Sequence, residues 1–282
     1  MTPTFVFVHG SNGNARTWTS IQRELALLGH RTLAVDLPGH GSGAGFTGAY
    51  QAPQDIAAFA SAPSTMATVT HADLVAHVIA VVRRVREHGP VVLVGASRGG
   101  LVLTAVGNAV PELLDRLVYI SAWCCVDRTV PEYLAMPEFA ATELGGFGSL
   151  MVGDPAALGV TRWNWRSADA DVLAAMKKAL LADGTDQQFL AMLNGFEPDE
   201  ITDFGTDVID AGTWGRIPHT YLRLTEDQAM PPAMQDLLIK QADAHTPDNP
   251  FEVHSLPCSH AGFGFPRHAS EVAAILAGSV RG

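Results

Sequence analysis

A serine lies at the centre of a short glycine-containing turn, Gly95-Ala96-Ser97-Arg98-Gly99, between two apolar runs at residues 91–94 and 101–106. The short run before the turn is typical of a buried strand, and the longer run after it is typical of a helix. A glycine on each side of the serine suits a sharp strand-to-helix turn, because neighbouring backbone passes too close for a Cβ. Such a turn presents the serine hydroxyl at the carboxyl end of the strand.

Strand-like and helix-like segments alternate on both sides of this turn. Apolar runs typical of buried strands lie at residues 5–8, 31–35, 91–94, 117–120, 220–224 and 251–256. Apolar residues at helical spacing lie at residues 18–28, 74–85, 233–242 and 269–276. Gly29 follows the first helical pattern as a C-cap glycine, and Thr70 with Asp73 forms a capping-box pattern before the second. The alternation predicts an α/β fold, with a mostly parallel central sheet flanked by helices.

The alternation stops between about residues 123 and 215. Helical patterns continue there without a strand-like run, which predicts an inserted helical cap over residues 123–215 on a core of residues 1–122 and 216–282. Residues 42–69, rich in Gly, Ala, Pro and Ser, predict a long loop near the site. We expect the large apolar side chains of the cap to form mainly its own small core: Trp163, Trp165, Met176, Phe189 and Met192.

A serine hydroxyl is a poor nucleophile at neutral pH, so it needs a base, and the base needs a carboxylate that fixes its tautomer. Because the carboxyl ends of parallel strands meet at one edge of a sheet, we expect both partners on loops after later strands. The loop after the fifth predicted strand contains Asp227, and the loop after the sixth contains His260. We therefore predict Ser97 as the nucleophile, His260 as the base and Asp227 as the orienting acid.

Other residues are alternatives for two of these roles. His254 lies inside a predicted strand and His268 at the start of the last predicted helix, which favours the loop histidine as the base. Glu226 is adjacent to Asp227, and Asp127 follows the fourth predicted strand, so either is an alternative source of the carboxylate.

Acyl transfer also needs two backbone N–H groups that stabilise the developing oxyanion. Arg98, directly after the serine, supplies one, and Ser11, in the loop after the first strand, supplies the other, with Gly10 allowing close approach. The Arg98 side chain has two interpretations, an ion pair with an acid of the cap or recognition of an anionic substrate group, of which the first is favoured. His9 and His40 are expected to be structural, with their imidazoles bonded to turn backbone.

Composition narrows the classes of partner and compartment. A formal net charge of −11 at pH 7 would repel nucleic acid and an anionic membrane surface. Three cysteines favour a reducing compartment, and the absence of a leader pattern or a long apolar run makes a cytoplasmic location the expectation. No metal site or cofactor is indicated. The oligomeric state is left open, with a homodimer as one outcome.

Several stretches carry a family resemblance: residues 5–10 (FVFVHG), residues 36–41 (DLPGHG), the serine turn, and residues 221–227 (YLRLTED) ahead of Pro231, Pro232 and Gln235. The chain resembles the α/β-hydrolases over nearly its whole length, and among them the plant methylesterase and hydroxynitrile lyase group with its bacterial esterase relatives. The resemblance implies the roles already assigned: Ser97 as nucleophile, His260 as base, Asp227 as acid, and Ser11 and Arg98 as oxyanion donors. Ala96 and Arg98 differ from the residues that most relatives have beside the serine.

The predicted function is a cofactor-free serine hydrolase that cleaves a small-molecule carboxylic ester through an acyl-enzyme. The substrate is expected to be a small to medium apolar or aromatic ester, or a lactone, bound beneath the cap. The predicted pocket residues are Gly10, Trp123, Trp163 and Phe263.

Two alternatives remain at this point. A hydroxynitrile lyase is disfavoured, because the lyases of the group have a threonine at the position of Gly10 and a lysine at that of Ala261. A non-hydrolytic biosynthetic or ligand-binding protein is the other alternative, since one fold supports many functions.

Overall fold

The computed structural model describes residues 2–279, which form strands, helices and short 3₁₀ turns. The strands are β1 Thr4–Val8, β2 Arg31–Val35, β3 Val91–Ser97, β4 Arg116–Ala122, β5 Val160–Arg162, β6 Asp199–Ile201, β7 His219–Leu224 and β8 Glu252–Leu256. The helices are α1 Thr19–Leu27, α2 Ile56–Ser61, α3 His71–Arg86, α4 Gly99–Ala109, α5 Val130–Leu134, α6 Pro155–Leu158, α7 Ala170–Leu180, α8 Asp186–Gly195, α9 Pro232–His245 and α10 Pro266–Gly278.

Six of the strands form one parallel sheet in the order β2-β1-β3-β4-β7-β8. Every strand predicted from an apolar run is confirmed as a member of this sheet. The inner strands β1, β3 and β4 are almost wholly buried, as continuous apolar runs require, whereas the edge strands β2 and β8 have exposed positions. The predicted α/β fold with a mostly parallel sheet is therefore confirmed.

Helices cover both faces of the sheet, and alternate residues of each strand face opposite ways. In β1, Phe5 and Phe7 pack with α1 and α10, whereas Val6 and Val8 pack with α3 and α4. Gly29 has a φ of +85°, the left-handed conformation expected of the glycine that ends α1. The capping box between Thr70 and Asp73 at the start of α3 is also confirmed.

The insertion between β4 and β7 is not purely helical, so that part of the prediction is wrong. It contains α5 to α8, but β5 and β6 pair in it as a two-stranded antiparallel ribbon. Each strand has three residues, too few to show a periodic pattern in sequence. We call residues 123–215 the cap. The division of the chain into a core and a cap at these bounds stays a prediction.

The predicted loop at residues 42–69 also contains regular structure. Helix α2 lies within it, capped by the Asp55 side chain, which accepts a hydrogen bond from Ala58 N. A six-residue helix is shorter than the window in which helical periodicity can be recognised.

None of the helices within residues 2–279 combines the length and apolar character needed to cross a bilayer.

A buried ion pair fastens this loop to the cap ribbon. Arg162 in β5 binds both carboxylate oxygens of Asp199 in β6, at 2.6 and 2.7 Å. The same guanidinium donates to the carbonyl oxygens of Phe59 and Ala62, at 2.6 and 2.7 Å. The Arg162 and Asp199 side chains are only 2% and 8% exposed, so neither charge has water to replace a lost partner.

We predict that Asp199→Ala lowers the free energy of unfolding by about 3–5 kcal/mol, because it leaves the Arg162 charge buried without a counter-ion. Urea denaturation followed by tryptophan fluorescence measures this change. Asp186→Ala is the matched control: Asp186 also belongs to a cap ion pair, with Lys177, but its side chain is 78% exposed. The control should change stability by at most about 1 kcal/mol. If both variants lost the same free energy of unfolding, burial would not be the reason why the Arg162–Asp199 ion pair matters for stability.

Candidate functional site

The candidate site lies at the edge of the sheet where the parallel strands end. Ser97 is the last residue of β3, and Ser11 lies in the loop after β1. Asp227 follows β7 and His260 follows β8. One parallel sheet therefore brings the four predicted loops to a common edge.

The backbone at Ser97 is held in an unusual conformation. Its φ is +52°, a left-handed value that serine rarely adopts and that stores strain. A Cβ on Gly95 would lie 2.6 Å from Leu103 Cδ1, and one on Gly99 would lie 2.8 Å from the carbonyl oxygens of Val8 and His9. The flanking glycines are thus required for β1 and α4 to approach the turn, as the sequence predicts.

Asp227 and His260 form a hydrogen-bonded pair. His260 Nδ1 lies 2.6 Å from Asp227 Oδ2. Because an ionised carboxylate can only accept, Nδ1 carries the hydrogen and the lone pair of the ring is at Nε2. This is the tautomer that a general base for a serine requires. The prediction that these two residues pair is supported, and their catalytic roles stay predictions.

The Asp227 carboxylate receives four hydrogen bonds. The backbone N–H groups of Ala229 and Met230 donate to Oδ1, each at 2.8 Å, and Ser121 Oγ donates to Oδ2 at 2.6 Å, beside His260. Asp227 is 2% exposed, so these donors replace the water that would otherwise solvate its charge. The carboxylate is thereby fixed in orientation as well as in charge.

Ser121 is a residue that the sequence analysis missed. It lies near the end of β4, between β3 and β7, is fully buried and has a φ of +38°. No local pattern distinguishes it from other strand serines, because its partner is 106 residues away in the chain. The alternative acid Asp127 lies elsewhere, bonded to Arg128 and to the hydroxyl of Tyr133.

The pKa of His260 is raised above its ordinary value of 6.5. Burial opposes the charged imidazolium, but the Asp227 charge and its hydrogen bond to Nδ1 outweigh that effect. Among the described residues, Ser97 Oγ forms no hydrogen bond with His260. Catalytic pairs of this kind are commonly long before substrate binds, and the Ser97–His260 contact stays a prediction.

The two predicted oxyanion donors flank Ser97. A Cβ on Gly10 would lie 3.0 Å from Ser97 Cβ and 3.6 Å from its Oγ, so the loop after β1 passes directly against the serine. Neither the Ser11 nor the Arg98 N–H has a hydrogen-bond acceptor within residues 2–279. Their role as oxyanion donors stays a prediction.

The cap holds the loop after β1 through Asn12. Asn12 N donates to Glu200 Oε2 and Asn12 Nδ2 donates to the Glu197 carbonyl, both at 2.8 Å. The Asn12 carbonyl accepts from Glu197 N, also at 2.8 Å. His9 is structural as expected: Nδ1 bonds the Gly10 carbonyl at 2.9 Å, and Nε2 accepts from Leu37 N.

The Arg98 side chain turns away from the serine and into the cap. It donates to the carbonyl oxygens of Ile201 and Asp203, lies 4.3 Å above the Phe204 ring, and is 4.0 Å from Glu200 Oε1. Burial opposes the charge of Glu200, but Arg98 and His40 outweigh it and lower its pKa to about 2. Arg98 therefore contacts an acid of the cap, Glu200, which is the favoured interpretation of its side chain.

The four predicted pocket residues lie in three environments. Gly10 adjoins Ser97, and Trp123 N donates to the Ser97 carbonyl at 3.0 Å. Trp163 stacks on another cap tryptophan, and Phe263 is buried against Trp18 in the core. Contact with substrate stays a prediction for all four.

Over residues 2–279, no group of three His, Cys, Asp or Glu side chains is arranged to hold a metal ion.

Known proteins share this architecture. A pyrethroid hydrolase of Sphingobium wenxiniae is 24% identical over 277 residues, which is 96% of this chain and 86% of that protein. An extracellular alpha/beta-hydrolase from a Paenibacillus species, described as homologous in structure and function to tobacco salicylic acid binding protein 2, is 21% identical with a TM-score of 0.70 over 99% of each chain. Polyneuridine aldehyde esterase is 18% identical with a TM-score of 0.72, over 98% of this chain and 100% of that one.

The two solved structures show that the chain shares their fold. The family profile matches residues 5–275, from β1 into α10. This match covers all six strands of the sheet except Thr4, and it includes the strained serine turn and the Asp227–His260 pair. The chain belongs to the Alpha/beta hydrolase family.

Proposed function

We propose that the protein is a cofactor-free serine hydrolase of carboxylic esters. The observation that carries the proposal is the Asp227–His260 pair, placed at the same sheet edge as a serine in a strained turn. A hydrogen-bonded acid and imidazole, together with a serine hydroxyl at the same edge of the sheet, are the components of nucleophilic acyl transfer. The relatives named as a hydrolase and an esterase support the same chemistry.

In the first half of the proposed reaction, Ser97 Oγ attacks the ester carbonyl carbon while His260 Nε2 takes the hydroxyl proton. The carbonyl oxygen becomes an oxyanion, which accepts hydrogen bonds from the N–H groups of Ser11 and Arg98. Collapse of this tetrahedral intermediate breaks the bond to the alcohol oxygen. The alcohol leaves with the proton from His260, and the acyl group remains on Ser97.

In the second half, His260 Nε2 removes a proton from water, and the resulting hydroxide attacks the acyl carbon. A second oxyanion forms against the same two N–H groups and then expels Ser97 Oγ, which recovers a proton from His260. The acid leaves and the enzyme is restored. Asp227 remains ionised throughout, holding Nδ1 and stabilising the imidazolium in both halves.

The proposed substrate is a small to medium apolar or aromatic ester, or a lactone, bound between the serine edge and the cap. Trp123 joins the serine turn to a buried aromatic cluster through Phe139, whose ring centroid lies 5.8 Å from its own. Apolar walls with few polar groups are typical of sites for such ligands. The Arg98 guanidinium is engaged by the cap, which removes the main reason to expect an anionic substrate.

Ser97→Ala should reduce ester turnover by at least about 1,000-fold, because no nucleophile remains at the turn. The measurement is kcat on a panel of methyl, aryl and lactone esters, with fluorophosphonate labelling followed by peptide mapping to Ser97. Ser61→Ala is the control, since Ser61 is exposed and its hydroxyl donates to the Ala57 carbonyl within α2. Undiminished turnover in Ser97→Ala would exclude the proposed nucleophile.

The acid limb of kcat/KM should have its midpoint above pH 6.5, because only neutral His260 can accept the serine proton and its pKa is raised. Activity is then lost as pH falls through that midpoint. Asp227→Asn removes the charge that raises the pKa and leaves burial, which lowers it, so the midpoint should move to lower pH. That variant should also lose kcat by about 10⁴-fold. An unmoved limb in Asp227→Asn would contradict the assignment.

Ser121→Ala should lower kcat by about three- to tenfold, because a hydrogen bond to a charged group is worth about 1.5–3 kcal/mol and only part of it acts through His260. Loss of this donor leaves more negative charge on Asp227 Oδ2 for His260, so the acid limb should also move to higher pH. Full pH profiles of the wild type, Ser121→Ala and Ser61→Ala make the comparison. A profile of Ser121→Ala that matches the wild type in height and midpoint would show that Ser121 is unimportant.

A further inference from the structure

The cap contacts the chain on both sides of His260. Ser259, directly before it, donates through Oγ to Oδ1 of Asp183, in the cap segment between α7 and α8. Ala261, directly after it, donates its N–H to the carbonyl of Leu180, the last residue of α7, at 2.8 Å. The residue on each side of the histidine is therefore hydrogen-bonded to the cap, Ser259 through its side chain and Ala261 through its backbone.

The contact with Asp183 is buried and closely packed. Ser259 is 1% exposed, and the Asp183 side chain is 10% exposed. A Cβ on Gly262 would lie 2.9 Å from each carboxylate oxygen of Asp183 and 3.1 Å from Ser259 Oγ. The Asp183 carboxylate therefore packs directly against Gly262, two residues after His260 in the same loop.

The second carboxylate oxygen of Asp183 continues the connection into the core. Oδ2 lies 3.0 Å from Nε2 of His268 in α10, the helix that covers one face of the sheet. Burial opposes ionisation of Asp183, but the hydrogen bonds from Ser259 and His268 outweigh it and lower its pKa. One ionised side chain of the cap thus joins the loop after β8 to α10.

Within residues 2–279, the His260 side chain has one hydrogen bond, to Asp227. Its hydrogen bond to Asp227 fixes Nδ1, but the direction of Nε2 also depends on where the loop places the backbone. The residues directly beside His260 are hydrogen-bonded to the cap, Ser259 Oγ to Asp183 and Ala261 N to Leu180, while their own carbonyls accept from Gly262 and Gly264 within the loop. A shift of about 1 Å at a catalytic base is enough to reduce a rate by about 100-fold.

We propose that Asp183 is a positioning residue for His260, acting from the cap through Ser259, in the serine hydrolase proposed above. The inference rests on that proposed function. In consequence the cap takes part in aligning the base, and a cap displaced at the α7–α8 end cannot support acyl transfer at the full rate.

The test compares Asp183→Ala and Ser259→Ala with the wild type. Each should lower kcat by about tenfold and leave KM within about twofold, because the alignment of the base changes and the substrate contacts do not. The rate of fluorophosphonate labelling of Ser97 should fall by the same factor. The double variant should be no slower than either single variant, since all three lack the same hydrogen bond.

Asp183→Asn tests the hydrogen bond itself, because its amide oxygen can still accept from Ser259. It should restore activity to within about threefold of the wild type. Asp186→Ala, in the exposed ion pair with Lys177 three residues further along, should behave as the wild type. Circular dichroism and thermal unfolding of each variant establish that the compared proteins are folded at the assay temperature.

The outcomes separate the two proposals. If the wild type neither hydrolyses esters nor labels at Ser97, the proposed function fails and the positioning role fails with it. If the wild type is active and folded Asp183→Ala keeps its kcat and labelling rate, only the positioning role is overturned. Equal losses in Asp183→Asn and Asp183→Ala, additive losses in the double variant, or a rise in KM without a fall in kcat would also overturn it.

Discussion

The rest of the site depends on the hydrogen bonds of the buried Asp227 carboxylate. Its four hydrogen bonds come from β4 through Ser121, from the loop after β8 through His260, and from its own loop through Ala229 and Met230. A charge that is 2% exposed is tolerated only because each of these donors is present. The same requirement fixes the relative positions of the end of β4 and of the loops after β7 and β8, so the electrostatics of one residue determine the geometry around the predicted base.

The sequence predicted what local pattern and topology determine. Apolar runs located the six strands of the sheet, and parallel crossovers then required Ser97, Asp227 and His260 to lie at one edge. The paired glycines predicted the turn, because the close approach of neighbouring atoms at Gly95 and Gly99 leaves no room for a Cβ. Such constraints act over a few residues, or they follow from the rule that consecutive parallel strands are joined by crossovers.

What the sequence did not predict depends on contacts between distant segments. Ser121 meets Asp227 across 106 residues and Ser259 meets Asp183 across 76, and neither separation leaves a periodic pattern. The ribbon of β5 and β6 was missed for a different reason, since three-residue strands are too short for an alternation to be recognised. The cap was therefore predicted as a region but not as a set of contacts, and those contacts hold the loops of the predicted catalytic residues.

The cap is bonded to the site on two sides. Glu200 and Glu197 hold Asn12 beside the predicted oxyanion donors, and Asp183 with Leu180 holds the loop of the base. An exchange of caps between α/β-hydrolases would leave the chemistry unchanged only if the core alone positioned the reacting groups. In this chain a transplanted cap without matching acids would also remove hydrogen-bond partners of the loops that carry Ser11 and His260. The modular unit for engineering is the cap together with the loops after β1 and β8.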